Sequence, residues 1–164
     1  MLARLKVRLA ILAICAVIGI GGHGFTAQAR TQACAPITEK QIAALFDRWN
    51  ASLARTPDAV VANYTTNAVL LPTKENGPLI GHAAIREYFV HFLEAHPTGT
   101  IVSRTIVIGC NMAFDTGLYN FTVDGSAPGQ RTQIKARYTY IYEPRGRTWL
   151  IVHHHSSVLP VPGP

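Results

Sequence analysis

The chain has 164 residues, 48% of them hydrophobic and 15% charged, with a formal net charge of +6. That is one ordinary domain's worth of chain, with apolar residues enough for a single core. Its Lys and Arg residues form no cluster interleaved with aromatics, which argues against nucleic acid as a partner.

Arg4, Lys6 and Arg8 precede an apolar run from Leu9 to Ile20, and Ala27-Gln28-Ala29 follows as a small-x-small site. This is the pattern of a secretory signal peptide over residues 1–29. The run is shorter than the roughly 20 residues a spanning helix needs, an uncleaved anchor being the alternative. Neither Cys15 nor Cys34 sits in a good lipobox. Cleavage would leave one domain over residues 30–158 and a Pro-rich, mobile tail over 159–164. Three of the 15 basic residues would leave with the signal, so twelve would face nine acidic ones, a balance of +3. The expected location is periplasmic or secreted, without stable membrane insertion after cleavage. Cys34 and Cys110 remain as an even pair in a chain bound for an oxidising compartment. A Cys34–Cys110 disulfide is expected, two separate buried thiols being the alternative.

A first helix begins at Thr38, where Thr38-Glu39-Lys40-Gln41 is a capping-box pattern. Ile42, Leu45, Phe46, Trp49 and Leu53 recur at helical spacing on one face. Thr56-Pro57 ends this helix and starts a short second one through Tyr64. Ala68 to Leu71 reads as a short strand stopped by Pro72, and Asn76-Gly77 marks a turn in the polar loop 73–78. A further helix runs from about His82 to Ala95, with Ile85, Phe89, Phe92 and Leu93 on its buried stripe, and His96-Pro97 closes it.

From there the apolar period changes from 3.6 to 2. Strands are expected over Thr100–Ile108, Met112–Val123, Gln130–Tyr142 and Thr148–Val158. A tight turn at Pro144-Arg145-Gly146 joins the last two. Helices followed by antiparallel strands make an α+β order, a curved sheet with helices on one face that would enclose a cavity.

Four segments carry a resemblance: "ALFDRWNASL", "ANYTTNAVLLPT", "GHAAIREYFVHFL" and the terminal "RTWLIVHHHSS". In order and spacing, from about Thr38 to Ser157, they resemble the association domain of calcium/calmodulin-dependent protein kinase II and its free-standing bacterial relatives. The resemblance implies the cone-shaped, nuclear-transport-factor-2-like or cystatin-like fold, a pocket, and a dimer. Kinase activity does not transfer, because no kinase domain is present. The resembled hub lines its pocket with arginines, which fall here at Tyr119, Tyr138 and Ser156, and its pocket-helix histidine falls near Ile85. The anion-binding set is therefore not carried over. The same broad fold includes ketosteroid isomerases and SnoaL-like cyclases, which use a buried Asp or Glu base. Asp47 and Asp115 are the candidates here, and neither sits between apolar neighbours in the sequence.

On a strand, neighbouring side chains point to opposite faces. His154 and Ser156 are therefore expected on the cavity side with Leu150 and Val152. His153 and His155 are expected on the outer face with Trp149 and Ile151. Two histidines on one face lack the third protein ligand of a zinc site, since His82, His91, His96 and Glu87 lie on a helix end or surface. No metal and no cofactor is expected. From Arg131 to Tyr142 one face is polar (Arg131, Gln133, Lys135, Arg137, Thr139). The other is apolar and aromatic (Thr132, Ile134, Ala136, Tyr138, Tyr140, Tyr142). The expected pocket residues are Trp49, Tyr64, Tyr119, Tyr138, His154 and Ser156, and the expected interface residues are Arg137, Trp149, His153 and His155. Asn50, Asn63 and Asn120 match a glycosylation pattern and are read as chance.

These features point to an exported, non-catalytic, homo-oligomeric domain that binds a small, mostly apolar ligand or serves in assembly. The alternative is a small isomerase, cyclase or oxidoreductase acting on an apolar substrate. A third possibility is a structural dimer module whose cavity is filled by its own side chains.

Overall fold

Thr38 and Gln41 close the expected capping box. The Thr38 hydroxyl accepts from the Gln41 backbone amide at 3.3 Å, and the Gln41 side chain accepts from the Thr38 amide at 2.9 Å. Helix α1 runs from there over Glu39–Ser52 and buries Ile42, Phe46 and Trp49. The computed structural model of the chain describes residues 33–160. The expected signal peptide, with Cys15, and the end of the expected tail lie outside the described residues.

Helix α2 covers Pro57–Val61, with Pro57 in its first turn and the Thr56 hydroxyl accepting from Ala59. It stops three residues earlier than the pattern suggested. The Asn63 side-chain amide donates to the Ala59 and Val60 carbonyls, which satisfies the last turn. Strand β1 consequently begins at Tyr64 rather than Ala68 and runs to Leu71. A two-residue strand, β2 at Leu79–Ile80, was not legible in the sequence. Helix α3 spans Gly81–Phe92 and passes into a 3-10 turn at Leu93–Ala95.

Four long strands follow: β3 (Thr98–Gly109), β4 (Met112–Asp124), β5 (Arg131–Arg145) and β6 (Thr148–Val158). The sheet order is β2-β1-β6-β5-β4-β3, antiparallel except where β1 meets β6. The β5–β6 turn is Gly146-Arg147, with Gly146 in the left-handed region (φ 62°) that glycine tolerates. Pro144 is not in the turn as expected. It stands within β5 opposite Trp149.

Two irregularities bend the sheet. In β3, Ile101 pairs with Tyr119 and Ser103 with Leu118, leaving Val102 as the extra residue. Gly117 lies beside this bulge, where a Cβ would fall on the Ser103 carbonyl. In β6, Ile151 pairs with Tyr142 and His153 with Ile141, so Val152 is extra.

The second bulge overturns part of the face assignment. One extra residue reverses the parity of a strand. Ahead of it Trp149 and Ile151 point into the core, 8% and 1% exposed; beyond it His154 and Ser156 do. Trp149 is therefore not an outer-face residue. Leu150 and Val152 are half-buried, as are His153 and His155.

Cys34 and Cys110 form the expected disulfide, tying the segment ahead of α1 to the β3–β4 turn. Asn111 reinforces it by accepting from the Ala35 amide at 2.7 Å. Asn50 holds the Gly99 backbone at both its amide and its carbonyl, and Asn63 is buried, so two of the three glycosylation-pattern asparagines have packing roles. Among the described residues no helix is long and apolar enough to cross a membrane.

Candidate functional site

The concave face of the sheet, α1, α3 and the loop after β1 enclose a cavity of about 310 Å³. Small-molecule sites begin at about 300 Å³, so the space is at the lower bound for a ligand. Trp49 reaches it from α1, Tyr88, Phe89, His91 and Phe92 from α3, Tyr119, Phe121 and Val123 from β4, and His154 and Ser156 from β6. The helical period delivers the α3 stripe, and the strand period delivers the β4 set.

Two polar chains meet the lining. Trp49 Nε1 donates to the Tyr64 hydroxyl at 3.0 Å, and that hydroxyl lies 2.9 Å from His154 Nδ1. Tyr119 donates to Ser156 Oγ at 2.5 Å, and Ser156 Oγ also bonds the Thr73 hydroxyl. Burial, with His153 and His155 adding to it, pushes the His154 imidazole down to about 3, so the ring is neutral. Its Nε2 has no partner among the described residues. Tyr140 stacks on the ring with centroids 4.1 Å apart.

Four of the six expected pocket residues, Trp49, Tyr119, His154 and Ser156, line this cavity. Tyr64 stands behind the wall and orients His154. Tyr138 is turned elsewhere: its hydroxyl donates to Asp115 Oδ1 at 2.8 Å. The sequence reading missed Tyr88 and His91, which the period of α3 could have supplied. It also missed Thr73, Lys74 and Glu75, on a loop whose course no periodicity encodes. Lys74 and Glu75 are exposed and carry opposite charges.

Asp115, whose sequence neighbours gave no sign of an apolar setting, is nonetheless 0% exposed. Arg104, 22% exposed at its side chain, pairs with it at 3.0 Å and lies over the Phe46 ring. Desolvation raises the Asp115 carboxyl above its ordinary value, opposed by the Tyr138 hydrogen bond and by Arg104. This buried pair is not part of the cavity lining. Asp47 is exposed, as expected.

On the outer face of the sheet the rows read Val69–His153–Ile141–Phe114, Leu71–His155–Thr139–Thr116 and, from β6 to β4, Ser157–Arg137–Leu118. Arg137, His153 and His155 are there as expected and Trp149 is not. Among the described residues no three His, Cys, Asp or Glu side chains are grouped to hold a metal ion.

The family model of the calcium/calmodulin dependent protein kinase II association domain matches residues 38–160. A Xanthomonas campestris structure assigned to that association domain is 39% identical, with a TM-score of 0.72 over 79% of this chain and 96% of its own. A nuclear transport factor 2-like protein from Salmonella enterica is 19% identical, with a TM-score of 0.65 over 76% and 92%. A Novosphingobium aromaticivorans protein proposed to be an aromatic ring hydroxylase is 20% identical, with a TM-score of 0.64 over 73% and 87%. At those lower identities the likeness concerns the fold alone. Among curated proteins none matches the chain.

Proposed function

The chain belongs to the calcium/calmodulin dependent protein kinase II association domain family, and we propose that it is an exported, non-catalytic, homo-oligomeric domain that binds a small, mostly apolar ligand in its cavity. The observation that carries the reading is the lining. Aromatic rings dominate it, and its deep polar groups are a neutral imidazole and a set of hydroxyls. Asp115, the buried carboxylate an isomerase-like reading would recruit as base, lies outside the lining. His154 takes up a proton only near pH 3, so it is a poor base at neutral pH. Export is supported by the Ala27-Gln28-Ala29 site and by the Cys34–Cys110 bridge. Self-association is supported by the family and by the half-buried Val69, Phe114, Leu118 and Ile141 around His153 and His155.

Calorimetry with phenylacetamide and phenylacetate tests the ligand class. The amide is expected to bind and the acid to bind at least tenfold more weakly. Lys74 in the lining is exposed and followed by Glu75, so a carboxylate buried away from it carries a desolvation cost of several kcal/mol that hydroxyls offset poorly. Preference for the acid, or saturable turnover of an apolar substrate, would refute the reading.

A further inference from the structure

His153 and His155 stand on the outer sheet face of β6, a strand inside the sheet flanked by β1 and β5. Both are half-buried. Among the described residues neither imidazole has a hydrogen-bond or ion-pair partner, and neither is sealed from solvent as His154 Nε2 is. Past the extra residue Val152 the strand alternates regularly, so the two share a face, about 7 Å apart along it. At that spacing two imidazoles can turn onto one metal ion, with each nitrogen about 2 Å from it.

Two ligands are too few for zinc, which takes four in a structural site. The surrounding face supplies no others. Val69, Leu71 and Ile141 flank the pair, and the Thr139 hydroxyl is bonded to that of Thr116. Glu143, two residues beyond Ile141 on β5, is held by Arg145 at 2.6 Å. Arg137, in the row beyond His155, is a cation whose Nε donates to Ser157 Oγ at 3.3 Å. A second copy supplies what is missing. An isologous contact sets one patch against itself, so residues near the two-fold axis meet their own counterparts. The histidines lie within the apolar patch, between Val69 on one side and Ile141 and Phe114 on the other, where such an axis belongs. Facing sheets stand about 10 Å apart, which puts their mid-plane within reach of an imidazole from either side.

We propose that His153 and His155 are half of a metal site that a second copy completes, four imidazoles from two facing sheets holding one zinc-type divalent ion within the contact. Imidazole nitrogen suits zinc, copper and nickel, and a tetrahedron of four suits zinc. Magnesium and calcium take oxygen ligands and have no place there. The inference rests on the self-association reading above and adds to it the ion that tightens the contact.

The test uses the untagged, disulfide-bonded chain, stripped with EDTA and then given zinc chloride or magnesium chloride at neutral pH. In sedimentation, zinc is expected to tighten the dimer by about tenfold or more, as for any ligand that binds only the assembled state. Magnesium is expected to change it by less than about twofold. Native mass spectrometry should count one zinc per two chains, and cobalt in its place should give the visible absorption of a tetrahedral ion. His153→Gln combined with His155→Gln should abolish both the bound zinc and the tightening. A dimer indifferent to zinc, one zinc per single chain, or tightening that persists in the double variant would overturn the inference while leaving self-association standing. A monomer with and without zinc would remove the self-association reading and this inference with it. The cobalt spectrum of the unaltered chain decides the matter even where the double variant fails to fold, since an octahedral spectrum would also overturn the site.

Discussion

Tyr138 gives its hydroxyl proton to Asp115 at 2.8 Å, and this contact takes a residue expected in the ligand cavity out of it. The two belong to a buried polar group with Arg104. Ionised carboxylates are buried only with compensation, and here one oxygen receives the phenol while the guanidinium reaches both.

Removing the cation should therefore cost more than removing the anion, because Asp115 is fully buried while Arg104 keeps 22% of its side chain exposed. Arg104→Met is expected to lose about 3–5 kcal/mol at neutral pH, because it strands a buried carboxylate. Asp115→Asn keeps an acceptor for Tyr138 and is expected to lose about 1–2 kcal/mol. In Arg104→Met the folded-state carboxyl rises further above its ordinary value of about 4. The folded state then holds a proton that the unfolded state releases, so stability falls as pH rises through that window and returns as pH falls. Urea unfolding at pH 5 and pH 8 measures this. A deficit that is the same at both values would contradict it.

His154 gives the opposite sign. Its folded-state value is about 3, below the ordinary 6.5, so between those values the unfolded state binds a proton that the folded state refuses. Stability is full above about pH 6.5 and is lost as pH falls, by up to about 1.4 kcal/mol per pH unit. His153, also lowered, chiefly by desolvation, adds in the same direction. Unfolding free energies from pH 7 to pH 4.5 should show this slope, and His154→Phe should reduce it by nearly one proton. An unchanged slope in the variant would place the titration elsewhere.

The exported protein should begin at Arg30 and carry the Cys34–Cys110 bridge. Intact mass under non-reducing conditions checks both. The bridge closes a separation of 76 residues, for which the chain-entropy model gives about 4 kcal/mol. Cys110→Ser and reduction of the wild type should lower stability by similar amounts. A mass that retains the first 29 residues would contradict the cleavage.

Self-association through the outer sheet face should weaken on acidification, because half-buried His153, held below its ordinary value chiefly by desolvation, gains charge there as pH falls. His155 stands close enough to oppose the protonation of His153, so a charge gained at His153 is poorly accommodated in an apolar contact. Sedimentation from pH 5 to pH 8 measures the effect, and Ile141→Lys should give a monomer at neutral pH. A monomer throughout at micromolar concentration would refute the interface.

The helices and long strands were legible because their signals are local. A Thr-x-x-Gln cap, an apolar stripe at 3.6 spacing and clean alternation in β5 each lie within one element, and each survives into the structure. The oxidised cysteine pair was legible from count and expected compartment. The boundary at Tyr64 was not, because it depends on Asn63 turning back onto the Ala59 and Val60 carbonyls. The buried Asp115 was not, because its partner Arg104 lies on a different strand.

Sequence alone determined the α+β class, since period acts along the chain, and the resemblance of four segments to a known family supplied the likeness and, with strand alternation, four of the residues in the cavity wall. Tertiary structure decided which side of β6 Trp149 occupies, because the extra residue Val152 exists only relative to the register of β5. It also decided that Tyr64 orients His154 from behind the wall while Tyr138 faces Asp115. Pairing and hydrogen-bond direction are relations between segments far apart in the chain, and a pattern read along one segment does not contain them.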